Sequence, residues 1–392
     1  MQFSSPKRRI LVILKIVERC NINCSYCYVF NLGNNAWMQH PKYIKPNTIE
    51  QLCDFLKRGC IDIKPDEVGI EYHGGEPLMY NKTKFVELCE AIKLALSPYT
   101  KVSFAMQTNA MLLSKEWVDI ICRYRIGIGV SIDGPEVYHD KYRLDHRGKG
   151  TYQRVIQGLR LLQSAETYHK FSAIGILCVI NPDHDASVIF RHFVEDLKVT
   201  NIDFILPDYN HSSIPPFTNE QLSQFLQDLL EVWLEYDDPR INVRFLSTYL
   251  NLFTNQLTLS FSPSDNTSAI PAVTISSAGT LGPADQIHIT LTEEELRQYD
   301  IYNTSLESYL FGDTYMKNIA FACKLPKDCQ DCYWKTVCGG GKLQNRYNAE
   351  TRSYDQPTIY CSALKDFYAA LAKSIVERGY PIERLSNNLA IN

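Results

Sequence analysis

Short apolar runs and amphipathic stretches alternate through the first 210 residues of the chain. Runs of five to eight residues rich in Val, Ile and Leu predict strands at Ile10–Val17, Val68–His73, Val102–Gln107, Ile126–Ile132, Ile174–Val179 and Ile202–Leu206. Between them, apolar residues recur at helical spacing near Ile49–Gly59, Lys82–Leu96, Lys115–Tyr124, Tyr152–Gln163 and Ser187–Leu197. Repeated strand–helix alternation predicts a parallel α/β sheet. About six units are too few to close an eight-stranded barrel, so the expected fold is a partial, TIM-like (β/α)6 barrel with an open side.

Beyond that region the pattern changes. Pro207–Phe217 reads as a linker and Asn219–Tyr236 as a helix, while Val243–Phe261 is less regular and Ser262–Ser268 is a polar break. From Ala272, two short strands around Gly279 predict a hairpin, followed by a cysteine-rich segment and a final helix from about Ser362 to Arg378. The expected organisation is a barrel over residues 1–210, a helical bridge over 211–270 and a C-terminal cysteine-rich domain over 271–392.

Composition adds little until the cysteines are counted. A formal net charge of −4 offers no basic field for nucleic acid. No apolar run reaches membrane-spanning length, and the opening Pro6-Lys7-Arg8-Arg9 precedes a run too short for a signal segment, so a cytoplasmic protein is expected. Thirteen cysteines without an export signal argue against a disulfide framework. Cys53, Cys60, Cys89, Cys122 and Cys178 stand singly in apolar or helical surroundings and read as small buried side chains. Two groups remain.

The first is Cys20-Asn-Ile-Asn-Cys24-Ser-Tyr-Cys27, directly after the first predicted strand. Three thiolates on a four-iron cube leave one iron open to a ligand, whereas clusters that only carry electrons use four cysteines. Taken alone, the triplet also admits the reading of an incomplete zinc site. The other distinctive segments, His73-Gly-Gly-Glu-Pro77, Gln107-Thr-Asn109, Ser131-Ile-Asp-Gly-Pro135 and Cys178–Asn181, also follow strands. In parallel α/β folds those ends share one face, where the reactive site lies.

This combination resembles the radical S-adenosylmethionine (SAM) superfamily. The resemblance implies a SAM-binding 4Fe–4S cluster on Cys20, Cys24 and Cys27, with Tyr26 beside it. It implies that Gly74, Gly75, Glu76 and Pro77 form the turn that meets the SAM amino group, the glycines leaving backbone uncovered. Gln107 and Asn109 would line the site, Ser131 and Arg143 would hold the SAM carboxylate, and Leu177 and Val179 would pack near the adenine. The plainer reading of Arg143 is a surface arginine in a charged loop.

The second group, Cys329, Cys332, Cys338 and Cys361, supplies four ligands, enough for structural zinc or an electron-transfer cluster. It resembles the SPASM extension of peptide-modifying radical SAM enzymes, which implies an auxiliary 4Fe–4S cluster. The fuller pattern has further cysteines where this chain has Ala284 and Lys342, and an upstream partner is missing around Phe261, so one auxiliary cluster is expected. Cys323 is left over. Asp285, next to Ala284, matches the proposed base of anaerobic sulfatase-maturating enzymes; otherwise it is an exposed turn aspartate.

Similarity extends from Ile10 to about Cys361. The segments Leu206–His211 and Asn345-Arg-Tyr347, with Ala284-Asp285, point toward maturases that cross-link side chains of ribosomally made precursor peptides, including cyclophanes. That resemblance implies a precursor-peptide substrate and a flavodoxin- or ferredoxin-type electron donor. The alternatives are formylglycine formation in a sulfatase and, from another class, a zinc-dependent binding or regulatory module. Fewer than twenty residues precede the cysteine loop, so no separate peptide-recognition domain is expected there.

Overall fold

The computed structural model describes residues 8–32, 35–254 and 271–390. Among these, the strands are β1 (Arg9–Val17), β2 (Ile22–Cys24), β3 (Glu67–Gly74), β4 (Lys101–Thr108), β5 (Gly127–Ser131), β6 (Arg143–Asp145), β7 (Gly175–Val179), β8 (Asn201–Ile205), β9 (Asn242–Val243), β10 (Ala272–Ile275) and β11 (Leu281–Gly282). The chain divides into two compact units. One comprises Met1–Ser131, Asp140–Ile174 and Ile270–Asn318; the other comprises Ile132–His139, Gly175–Ala269 and Ile319–Asn392.

In the first unit, β1 pairs in parallel with β3, β3 with β4, and β4 with β5. Helices α1 (Pro46–Ile63), α2 (Lys82–Leu96) and α3 (Lys115–Tyr124) are the crossovers. Asn81 and Ser114 cap α2 and α3 by accepting from the N–H groups of Lys84 and Trp117, so these helices start where the sequence predicts. Strand β1 is buried on both faces from Val12 to Val17, which explains an apolar run interrupted only by Lys15.

The expected hairpin is present, with Thr274 opposite Gly282 and Ile275 opposite Leu281. Its location is the surprise. Strand β10 adds in parallel to the free edge of β1, from Leu11 opposite Ala272 to Leu14 opposite Ile275. The residues after β11 are thereby brought to the C-terminal end of β1.

The second unit contains β7, β8 and β9 in parallel register, and the helices Asn219–Tyr236, Arg244–Phe253 and Cys361–Glu377. The helix Arg244–Phe253 falls where irregular chain is expected; Leu246, Tyr249 and Phe253 give it one buried face. Residues 255–270, including Phe261 and the polar break, lie outside the described residues. Pro207–Phe217 is not a free linker. Asn345 Nδ2 donates to the carbonyls of Pro207 and Tyr209, Tyr360 Oη donates to that of Pro207, and the His211 N–H donates to Tyr347 O. Buried Arg346 donates to the carbonyls of Tyr354 and Lys324. The Leu206–His211 and Asn345–Tyr347 segments are therefore each other's scaffold.

Candidate active site and cysteine pockets

The cysteine loop leaves β1 at its C-terminal end and is held from two sides. On one side, the N–H groups of Gly75 and Glu76 donate to Val17 O and Arg19 O. Gly74 has φ +118°, and a Cβ on Gly74 or Gly75 would collide with the Val17 carbonyl or the Arg19–Cys20 backbone. The two glycines are thus required for close approach of the cysteine loop to the β3 turn, a cause the sequence reading assigned to the ligand. With those N–H groups occupied, the turn has carbonyls to offer, which suits a ligand amino group. On the other side, β2 and β6 form a two-stranded ladder that sets Cys24 opposite Arg143.

Glu76 is buried, and its carboxylate accepts from Leu78 N–H, Thr108 Oγ and Asn109 N–H. Burial raises its pKa against those three bonds, so Glu76 serves as an internal tie between the ends of β3 and β4. Pro77 opens the short turn that Glu76 caps. Asn109 Nδ2 donates to Asn21 and lies 3.8 Å from Cys20 Sγ, while Gln107 Nε2 donates to Ser131 Oγ at 2.8 Å. Arg143 is no surface arginine: it is 6% exposed and donates to Tyr26 Oη at 2.7 Å. Burial, with Glu76, Cys24 and Cys27 nearby, pushes the Cys20 thiol up to about 12, and burial raises Cys27 as well. Three soft donors on one loop, beside polar strand ends, fit an iron–sulfur cluster with an open iron.

Asp285 follows β11 and is 1% exposed, which rules out the exposed-turn reading. One carboxylate oxygen is 2.5 Å from Lys15 Nζ, and the other accepts from Tyr28 Oη at 2.7 Å. His288 Nδ1 and His73 Nδ1 stand 3.5 and 3.6 Å away. Burial pushes the Asp285 carboxyl up, but the Lys15 ammonium and the two imidazoles outweigh it and hold the group well below the usual carboxylate range. Burial works against Lys15 too, and Asp285 with Glu18 leaves its pKa raised. His288 is pushed down to about 4 by burial and by Lys15. A pocket opens over this network, lined also by Trp37 and His40. Lys15, Tyr28 and His288 were not singled out from sequence; a lysine inside the otherwise apolar run Ile10–Val17 was the available signal for the first.

In the second unit, Cys329, Cys332, Cys338 and Cys361 ring a pocket walled by Trp334 and Tyr368. Burial pushes Cys329 up to about 11 and also raises Cys338 and Cys361. Among the described residues, no three His, Cys, Asp or Glu side chains converge tightly enough for a single metal ion. Thiols spread around a cavity suit a larger cluster. Cys323 is exposed and does not line this pocket. Leu177 and Val179 share one face of β7, and the fully buried Cys178 points to the other. Among the described residues no helix is long and apolar enough to cross a membrane.

Comparison with known proteins agrees with this geometry. The chain is 24% identical over 371 residues to the cysteine-type anaerobic sulfatase-maturating enzyme of Clostridium perfringens, covering 91% of this chain and 95% of that protein. It is 24% identical over 377 residues to the serine-type enzyme of Bacteroides thetaiotaomicron, covering 90% and 87%. The solved structure of native anSMEcpe with bound AdoMet and the Cp18Cys peptide superposes with a TM-score of 0.80 at 19% identity, over 97% of this chain and 99% of that one. The model of the Radical SAM superfamily matches residues 14–188, the stretch that holds the cysteine loop, the His73–Pro77 turn and Arg143. Residues 14–188 of this chain are a radical SAM domain.

Proposed function

We propose that this chain is a radical SAM maturase that oxidises a cysteine or serine side chain of a peptide or protein to formylglycine. The observation that carries this reading is the match along 95% of the length of a cysteine-type sulfatase-maturating enzyme, with a serine-type enzyme matched nearly as far. In this reading Cys20, Cys24 and Cys27 hold the SAM-binding cluster, and Arg143 with Ser131 holds the SAM carboxylate. Leu177 and Val179 flank the adenine. Bound cluster and SAM together supply a radical able to remove a hydrogen atom from an unactivated carbon. The residues of the chain do the rest. The pocket receives the side chain, and Asp285, held ionised by Lys15, is the acceptor for the proton released as the side chain is oxidised; for a cysteine, water then replaces the sulfur and hydrogen sulfide leaves. Lys15 and Tyr28 fix the orientation of that carboxylate. Cys329, Cys332, Cys338 and Cys361 would hold an auxiliary cluster, which would supply one-electron redox capacity, and a flavodoxin- or ferredoxin-type protein would supply the reducing electron.

The reading is tested by incubating anaerobically reconstituted protein with SAM, dithionite and peptides carrying a target cysteine or serine, then probing the products for an aldehyde. Deoxyadenosine without aldehyde from either peptide rejects formylglycine formation. A second reading has one specific observation in its favour. Ala284 and Lys342 stand where the fuller SPASM pattern has thiolates. Cross-linking of side chains in a ribosomal precursor peptide fits a chain with a single auxiliary cluster. Loss of two hydrogens from a peptide, with no aldehyde, is the outcome that favours it.

A further inference from the structure

The helix Cys361–Glu377 opens on one of the four pocket cysteines, and Tyr368 follows seven residues later. Seven residues make about two helical turns, so Tyr368 stands on the same stripe as Cys361 and lines the same pocket. The other residues this helix buries around it, Leu364, Phe367 and Leu371, are apolar. Tyr368 is fully buried, and rings enclose it: Tyr249 at 5.1 Å, Trp334 at 5.8 Å and Phe253 at 6.1 Å between centroids. Phenylalanine would fill that space equally well. What tyrosine adds is a hydroxyl, and this hydroxyl is buried without a hydrogen bond of ordinary geometry. Among the described residues that line the pocket, no other side-chain nitrogen or oxygen is both buried and unpaired. The polar groups that bear on it are Cys338 and Tyr249. A buried hydroxyl left unpaired costs about 1–3 kcal/mol. The cost disappears if whatever fills the pocket brings an acceptor, and thiolate sulfur held on iron is one.

We propose that Tyr368 donates a hydrogen bond to the auxiliary cluster on the Cys338 side and thereby makes that cluster easier to reduce. The proposal rests on the reading that these four cysteines hold iron and sulfur, and it does not depend on which side chain a substrate offers. Hydrogen bonds to sulfur are among the levers by which a protein sets the potential of such a cluster. The reduced form carries one more negative charge than the oxidised form, so a donor aimed at its sulfur stabilises the reduced form more. Aromatic walls enlarge the difference, because a hydrogen bond is stronger where the local dielectric is low. The hydroxyl keeps its proton throughout. No bond forms or breaks, and only the balance between two charge states shifts.

The test uses full-length protein in which Cys20, Cys24 and Cys27 are replaced by alanine, so that the second site alone holds a cluster after anaerobic reconstitution. Iron and zinc per chain are measured first. The midpoint potential is then read from the EPR signal of the reduced cluster during titration with dithionite. Tyr368→Phe keeps the ring and should keep about four irons. Its reduction equilibrium should shift five- to tenfold toward the oxidised form, a fall of about 40–60 mV at about 59 mV per tenfold for one electron. Tyr249→Phe removes the adjacent hydroxyl but leaves that of Tyr368, and its equilibrium should stay within twofold of the parent. An unchanged midpoint in Tyr368→Phe overturns the proposal. So does loss of the cluster from that variant, because four thiolates remain and the hydroxyl would then be a structural support. An equal shift in both variants overturns it too, since it would mark a change in packing. Zinc in place of iron in the parent overturns the auxiliary-cluster reading and the proposal with it. An enzyme that forms no aldehyde on either peptide would reject formylglycine formation without moving this potential.

Discussion

Lys15 and Asp285 form a salt bridge that water scarcely reaches, with side chains 9% and 1% exposed and a separation of 2.5 Å. At an effective dielectric of about 20, two unit charges so placed attract by roughly 6–7 kcal/mol. Desolvating each ion costs several kcal/mol, so the pair as a whole contributes little net stability. Removing one partner is different, because the other is left charged and buried. Lys15→Met and Asp285→Leu should each destabilise the fold by about 3–5 kcal/mol. The double variant, with two apolar side chains of similar size, should fall within about 1–2 kcal/mol of the parent, a coupling of about 3 kcal/mol or more. Urea unfolding of anaerobically prepared protein at neutral pH measures all four corners of the cycle. Neutral pH is the right condition. A carboxyl held below its usual value contributes stability that is complete above the unfolded pKa of about 3.9 and is lost as pH falls through the folded value. Single-variant effects that simply add, with coupling below about 0.5 kcal/mol, would show that the two charges do not sense each other, and the electrostatic account of Asp285 would be wrong.

Three further outcomes follow from the site. Gly75→Ala forces a methyl into the Arg19–Cys20 backbone, so it should cost about 1–3 kcal/mol and lower the iron bound per chain; full iron content in that variant rejects the close-approach role. His288, held neutral with its pKa down at about 4, should make the parent less stable as pH falls from 6.5 toward 4, because the unfolded chain binds the proton first. The decline is at most about 1.4 kcal/mol per pH unit, and His288→Gln should flatten it when unfolding is followed across that range. Cys329→Ala with Cys338→Ala should remove about four irons and leave SAM binding intact by equilibrium titration; loss of both would tie the second pocket to the first.

Much of the scaffold was legible because its signals are local. The run Val68–His73 predicts a strand that extends from Glu67 to Gly74, and Asn81 and Thr218 mark helix starts by capping chemistry that the sequence carries openly. The helix Arg244–Phe253 was missed although Leu246, Tyr249 and Phe253 have helical spacing, because β-type residues such as Val243, Phe245 and Tyr249 obscured it. The cysteine groups and the His73–Pro77 turn stand out in the sequence because closely spaced cysteines and glycine pairs are restrictive patterns. The surroundings of Asp285 were not. Lys15 in a wholly buried strand demands a counter-ion, but nothing in the order of residues says that it comes from a hairpin 270 positions on. For Gly74 and Gly75 the close packing of the cysteine loop was a second demand hidden from the sequence, since a loop crossing behind a glycine leaves no trace there.

The parallel addition of β10 to β1 has a temporal side as well. Leu11–Leu14 can meet Ala272–Ile275 only after most of the chain has left the ribosome, and the intervening span must close as one long loop. Until it does, the cysteine loop and the β3 turn are already local neighbours, yet Lys15 is without Asp285 and the pocket lacks one wall. A partly made chain is therefore equipped to collect iron before it is equipped to handle a substrate, and its most reactive chemistry waits on the last strands to arrive.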